Sequence, residues 1–452
     1  MEKSQSLLFE RKSNAGLLVS LALPAVVLMV IMTVYNMTDI YFIGKLGDVS
    51  ALAAVSLAGP LMGVQSALGT LAGDGACSLV SRALGQKNGR EKPAAGAALI
   101  LSLGFGVMIG LGMWFLSPVL LPMLGGTEKT IPYALSYLRI LAFAAPAAVF
   151  TTAFANIVRS TGAVREGMAA HLLGTVTNMI LDPVFILLLG LGVRGAALAT
   201  AAGNVLAAIA LLRALLSKKG AVDLHPSVIL PAVRGDRRIF GEVLVLGLPS
   251  AIGNLLMNLS HAIQNRFLAG YGEDALAAFS IGGKGGILIA MVAMGICIGM
   301  QPAFGYFYGA EDQKRLHGCL RASGWTASLV SIGGMSALIV FGKGFTSLFT
   351  SDPAVSALAL NVLRIGILTA PFISLYYLIS SFLQASGQAG KALTVSILRQ
   401  GAVLIPTLMI LGNLFELTGI FWSSFTSDLI STAAASVILL AGKKKAAIKA
   451  VA

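Results

Sequence analysis

Charged side chains are scarce in this chain of 452 residues. Asp, Glu, Lys and Arg together make up 11% of it, against 56% hydrophobic residues. Soluble domains carry about a quarter charged residues. This chain has too few to cover a globule in water, so it reads as an integral membrane protein. Cysteine is nearly absent: Cys77, Cys297 and Cys319 lie far apart and form no metal-ligand or redox spacing. The four histidines, His171, His225, His261 and His317, are equally dispersed, so no metal site is expected. No HExxH pair, no GxSG nucleophile within an apolar run and no sizeable acidic outer loop is present, which argues against an intramembrane enzyme. The nearest approach to a P-loop, SGQAGKAL at 386–393, lacks the first glycine and the hydroxyl. The gaps between apolar runs are too short for an ATPase domain, so no cofactor is expected. They are also too short for a nucleic-acid-binding domain, despite a net charge of +13. The first apolar run is too long for the core of a cleavable signal peptide.

What the chain does have is long apolar runs. A bilayer-spanning helix needs roughly 20 mostly apolar residues. Twelve runs qualify: 15–43, 51–80, 94–118, 131–157, 167–190, 194–216, 240–268, 275–303, 318–341, 355–381, 391–413 and 418–442. With the N-terminus placed in the cytoplasm, and residues at the soft span edges counted with the adjoining segments, 23 of the 32 Lys and Arg fall in inner segments, five in outer segments and four deep within spans. The positive-inside rule therefore puts both termini on the cytoplasmic side of a plasma (inner) membrane. The longest polar gap, near Ser217 to Arg238, is cytoplasmic and divides the chain near its middle.

The two halves repeat. Leu23-Pro24 recurs as Leu248-Pro249, ALAAVS at 51–56 as ALAAFS at 275–280, LRI at 138–140 as LRI at 363–365, and STG at 160–162 as ASG at 385–387. The offset between the halves is nearly constant across all of these pairs. Six spans per half is an even number, so both halves have the same orientation. The expected fold is an all-α polytopic membrane protein of twelve transmembrane helices in two parallel six-helix repeats: an N-lobe over 1–216, a cytoplasmic linker over 217–237 and a C-lobe over 238–452. Parallel repeats of this kind recur in secondary transporters.

Of the 19 acids, only Asp39, Asp74, Asp182 and Asp428 lie well inside spans. A charge there costs several kcal/mol unless paired or wet, which makes each a functional-site hypothesis. At a rise of about 1.5 Å per residue, Asp39 lies about 8 Å, Thr200 about 9 Å and Asp182 about 12 Å from the outer surface. Asn178 sits one turn from Asp182 on the same face. Four oxygen-bearing side chains from three N-lobe helices thus share the outer half of the membrane. The plainer readings are that Asp39 snorkels to the interface and that Asp182 caps local structure before Pro183. Asp74 lies near the inner end of span two and is expected to pair with a cytoplasmic basic residue. Lys284 and Asp428 both lie about 14–16 Å from the outer surface, so a C-lobe ion pair or a transport role is open to them. At constant offset Asp39 corresponds to Gln264, and Asp182 falls near Pro406-Thr407, so this acid pair is confined to the N-lobe.

Particular residues give a resemblance. They are Pro24 with Asp39 in span one, SRALGQKNG at 81–89, NIVRSTG at 156–162, NMILDP at 178–183 and QPAFGYFYGAED at 301–312. Together with the twelve-span repeat they resemble the multidrug and toxic compound extrusion (MATE) transporters, most closely the DinF/MepA-like branch. The resemblance covers essentially the whole chain. It implies that Asp39 and Asp182 bind the coupling cation, with Asn178, Thr200, Tyr137 and Asn156 as the polar surround and Pro24 as the bend in helix one. The NorM-like branch instead uses an acid in helix seven, which LPSAIGNLLMNLS at 248–260 lacks. The expected function is a secondary antiporter, acting as a monomer, that exports amphipathic or cationic small organic molecules in exchange for protons or Na⁺. The alternative is a flippase for lipid-linked precursors, which would favour a strongly basic central cavity; four scattered intramembrane Lys and Arg support that poorly.

Overall fold

The computed structural model describes residues 9–10, 12–44, 49–216, 225–350 and 352–451, with backbone only for 34–41, 43–44, 49, 165, 226, 234, 273 and 442–451. Every described element is helical. The first half of the chain builds α1 (Asn14–Gly44), α2 (Val49–Gln86), α3 (Glu91–Phe115), the short α4 (Ser117–Met123), α5 (Thr130–Ser160), α6 (Val164–Asp182), a π-helical segment π1 (Pro183–Leu188) and α7 (Gly192–Leu216). The second half builds α8 (Pro226–Gly235), α9 (Ile239–Ala269), α10 (Glu273–Gly309), α11 (Gln313–Ser347), α12 (Pro353–Ile367), α13 (Ala370–Ala385), α14 (Ala389–Ile397), a second π-helical segment π2 (Leu398–Val403) and α15 (Leu404–Val451).

Ten of these helical stretches are long and apolar enough to cross a membrane, and an eleventh span is the bent pair α12–α13, which turns by 45°. The tenth stretch, Ala389–Ala441, holds two spans, because Glu416 breaks it with φ 51° and ψ −134°. That conformation is costly for a non-glycine residue and ends a helix. The count among the described residues thereby reaches the expected twelve. Local chemistry sets some boundaries plainly. Asp352 accepts from the backbone N–H groups of Ala354 and Val355 at 2.8 and 3.4 Å, and Pro353 fills the first helical position, where no N–H is needed.

Contacts divide the described residues into two units. The first comprises residues within Met1–Lys12, Val27–Asn254 and Gly305–Asp312; the second comprises Ser13–Val26, Leu255–Phe304 and residues within Gln313–Ala452. These boundaries differ from the sequence repeat at the opening helix of each half and at Gly305–Asp312. The stretch Ser13–Val26, which opens α1, packs in the second unit, where Gly295 and Gly299 of α10 receive the backbone of Val26 and Ala22. Residues 239–254 of α9 pack in the first. Both helices run unbroken through their prolines, Pro24 and Pro249. Of the expected linker, residues 217–224 lie outside the described residues. Most of its remainder forms α8, which buries Ile229 and Val233.

The core of the first unit is built on α5. Its Tyr137, Leu138, Leu141 and Ala145 pack with Ile186 of π1 and with Val193, Ala196 and Ala197 of α7. Small residues are prominent in this cluster. In a bilayer, lipid is as apolar as the core, so close backbone approach supplies the packing.

Candidate functional site

In the first unit α6 and α7 approach through a glycine pair. A Cβ on Gly203 would lie 2.6 Å from the Gly174 carbonyl oxygen, so a side chain there would force the helices to move. One turn beyond Gly174, Asn178 Nδ2 donates to Thr200 Oγ1 at 3.1 Å. Both side chains are buried, and among the described residues Asn178 Oδ1 has no hydrogen-bond partner. A further turn on, Asp182 is completely buried at the end of α6. Pro183 follows at once and opens π1. Proline has no N–H to donate and disrupts the regular ladder, and π segments of this kind frequently mark functional sites. Tyr137 is buried in the cluster that includes Ile186 of π1, so it borders the same region. The side chain of Asp39 lies outside the described residues, and with it the expected pairing of Asp39 and Asp182.

The resulting donor set is carboxylate, amide carbonyl and hydroxyl oxygen. Oxygen ligands of this hardness suit a proton or a hard cation rather than a transition metal. Among the described residues no group of three or more His, Cys, Asp or Glu could hold a metal ion.

Asn156 belongs to another cluster. Its Nδ2 donates to Asp74 Oδ1 at 2.7 Å, and its Oδ1 accepts from Arg159 Nη2 at 3.1 Å. Ser250 of α9 also hydrogen-bonds Asp74. The hydrogen bonds of Asn156 thus run to Asp74 and Arg159 rather than to Asn178 or Thr200. Arg159 acts on Asp74 electrostatically, with Asn156 hydrogen-bonded to both. Two close approaches fix this corner. A Cβ on Gly75 would overlap the Val243 carbonyl oxygen, and one on Gly247 would overlap that of Leu71. Just outside the membrane span, Arg90 Nη2 reaches Asp236 at 2.9 Å and Glu242 at 2.8 Å.

In the second unit the structure corrects one expectation. Asp428 pairs with Arg399, whose Nε donates to Oδ1 at 2.7 Å. Lys284 instead places its Nζ 4.6 Å from the centre of the Phe349 ring. Equal depth makes Lys284 and Asp428 candidate partners in the sequence, but depth says nothing of position around the bundle. Gln264, the repeat counterpart of Asp39, is buried and donates to Ser424 Oγ at 3.2 Å. The sequence places Arg399 among the four basic residues within spans, but nothing in it indicates which acid Arg399 meets.

Two stretches of the chain, 24–184 and 249–410, match the MatE family model, one in each half of the repeat. Fold, repeat and match together place this chain in the MatE family: it is a multi-pass membrane transporter and not an enzyme. It is 30% identical over 442 residues to the multidrug export protein MepA of Staphylococcus saprophyticus, covering 97% of this chain and 96% of the relative. The MepA of Staphylococcus aureus strain NCTC 8325 is 28% identical over 440 residues at the same coverage. Among solved structures, one described as MATE in complex with MaL6 superposes with a TM-score of 0.90 at 25% identity over 99% of both chains. An outward-facing multidrug resistance MATE family transporter superposes at 0.91 with 24% identity over 99% of both chains, which supports the fold alone.

Proposed function

We propose that this protein exports amphipathic or cationic organic compounds across the plasma membrane, both termini cytoplasmic, in exchange for protons or Na⁺, working as a monomer. The observation that carries the coupling is the buried oxygen cluster of the first unit. Asp182 lies one turn from Asn178, whose Nδ2 is held by Thr200 and whose Oδ1 has no partner among the described residues. A carboxylate at this depth must be neutralised by a proton, a cation or a partner, because a bare charge costs several kcal/mol. A proton or Na⁺ entering from outside neutralises the cluster and draws on the carbonyl oxygen of Asn178. This reading takes Asp39 as the second acid, Tyr137 borders the Asp182 cluster, and Pro24 lets helix one bend without sacrificing a full hydrogen-bond ladder. Substrate then leaves outward, and the cation is released inward when access alternates, as in other parallel-repeat transporters.

Two relatives aligned over nearly their full length are named multidrug export proteins, which favours drug export over transport of lipid-linked precursors. The test uses purified protein in liposomes loaded with a fluorescent cationic dye, under a proton gradient alone and a Na⁺ gradient alone. Efflux accelerated by either gradient supports coupled antiport; efflux indifferent to both contradicts it.

A further inference from the structure

Arg399 and its surroundings form a built site in the second unit. The guanidinium carbon lies 4.7 Å from the centre of the Tyr376 ring and 5.5 Å from that of Tyr377. Its Nε–H is taken by Asp428. The side chains of Arg399 and Asp428 are only 12% and 10% exposed. Four helical segments converge here. They supply Arg399 from π2, Asp428 from α15, Tyr376 and Tyr377 from α13, and His261 of α9 within electrostatic range of the guanidinium.

The backbone is shaped for the purpose. Arg399 is the second residue of π2, where the widened turn frees carbonyl groups from the helical ladder. Two serines from neighbouring helices take up these carbonyls: Ser427 donates to the Arg399 carbonyl at 3.2 Å, and Ser260 donates to the Gln400 carbonyl. The arginine is therefore fixed at its backbone, at Nε and at its ring-facing side.

A guanidinium carries five N–H donors, and its two terminal nitrogens form a fork that matches a carboxylate. An arginine serving only as a structural counter-ion commonly presents two parallel donors to its acid. Here Asp428 takes the Nε edge instead. The Nη edge has no hydrogen-bond partner among the described residues, and the side chain keeps 12% of its surface exposed. The pair thus leaves an oriented, charge-balanced donor fork beside two tyrosine rings.

We infer that this fork is a substrate subsite: Arg399 binds the carboxylate of amphipathic organic acids and zwitterions through Nη1 and Nη2, while Tyr376 and Tyr377 pack on the adjoining aromatic body. Asp428 keeps the guanidinium oriented and lowers the net charge of the pocket, so purely cationic compounds are not excluded. The subsite rests on the reading of the protein as an exporter of organic compounds and adds a substrate class to it.

The test measures binding to full-length protein in lipid nanodiscs without any gradient, using a rhodamine dye that bears a free carboxylate and its methyl ester. The wild type should bind the free acid more tightly than the ester. Arg399→Lys keeps the charge but removes the fork, and Arg399→Gln with Asp428→Asn removes both charges without leaving one unpaired. Both variants should weaken binding of the acid by about tenfold, the loss expected of a charge-assisted bidentate contact, and leave the ester within about twofold. A wild type that does not prefer the acid overturns the proposal. So does a double variant that binds the acid as the wild type does, and so does equal weakening of acid and ester. Gradient-driven efflux of the ester is read separately; its failure would count against coupled antiport and leave the binding comparison intact.

Discussion

Asn178 of α6 donates to Thr200 of α7 at 3.1 Å, next to a glycine contact that brings the two helices together. The bond orients the amide so that its carbonyl oxygen, not its N–H₂, is left over one turn from Asp182. Thr200→Val should free that orientation. A neutral hydrogen bond contributes about 1 kcal/mol net, so the driving-ion concentration for half-maximal efflux should rise about fivefold. Thr200→Ser should restore it. Equal ion dependence in all three proteins would show that the amide has no part in coupling.

The Asp74 cluster should be structural. Asp74→Ala removes the acceptor that holds Asn156 and takes away the negative charge that faces Arg159. Leaving buried partners unsatisfied should destabilise the protein by about 2 kcal/mol. Thermal unfolding in detergent would record the loss, while dye efflux per folded molecule stays near wild type. Wild-type stability combined with lost coupling would reassign Asp74 to the transport cycle.

Close backbone contact between α2 and the first half of α9 sets a sharper demand. Gly247→Ala puts a Cβ into the Leu71 carbonyl oxygen, whereas a Cβ on Gly104 of α3 meets nothing within 4 Å. Overpacking of this kind costs roughly 1–3 kcal/mol, so Gly247→Ala should unfold at clearly lower temperature and Gly104→Ala should not. Indistinguishable melting curves would mean that the contact relaxes freely.

Arg90 offers a pH test whose expected outcome is flat. Its hydrogen bonds to Glu242 first and Asp236 second push the guanidinium above its ordinary range. A raised pKa contributes stability that is complete below the unfolded value and lost only as pH climbs through the folded one. Both lie far above neutrality, so the difference between wild type and Arg90→Ala should not change from mildly acidic to mildly alkaline pH on account of Arg90. The side chain is 39% exposed, so the difference itself should be about 1 kcal/mol or less and should shrink with added salt. A difference that collapses on raising the pH modestly above neutrality would contradict this.

Double-mutant cycles should separate the two candidate partners of Asp428. Arg399 and Asp428 share a hydrogen bond, so their neutral substitutions should be strongly non-additive in stability. Lys284→Met and Asp428→Asn should add. Strong coupling of Asp428 to Lys284 would reverse the assignment.

Depth was legible in the sequence and azimuth was not. Apolar length located each span, and counting the helical rise per residue placed Asp182, Asn178 and Thr200 in one layer. For Asn178 and Thr200 the structure adds direct contact. The same counting puts Asn156 at the cytoplasmic end of its span, next to Arg159, and there it meets Asp74. The family resemblance pointed to the coupling site instead. Arg399 was hidden for a different reason. A π segment adds residues to a turn and rotates everything beyond it, so no regular helical count predicts which way Arg399 faces. The halves also carry buried charges at comparable places, Asp182 directly before π1 and Arg399 within π2. The near-constant offset between the repeats does not reveal that correspondence.

Whether Asp182 carries the coupling is decided by one comparison. Wild type and Asp182→Asn, matched for thermal stability, are reconstituted in liposomes. Dye efflux is followed under an imposed proton or Na⁺ gradient, alongside gradient-free exchange of dye across the same membranes. Asn resembles a carboxyl that is permanently neutral. The variant should therefore keep gradient-free exchange and lose acceleration by the gradient. Gradient-driven efflux at the wild-type rate in Asp182→Asn would contradict the account.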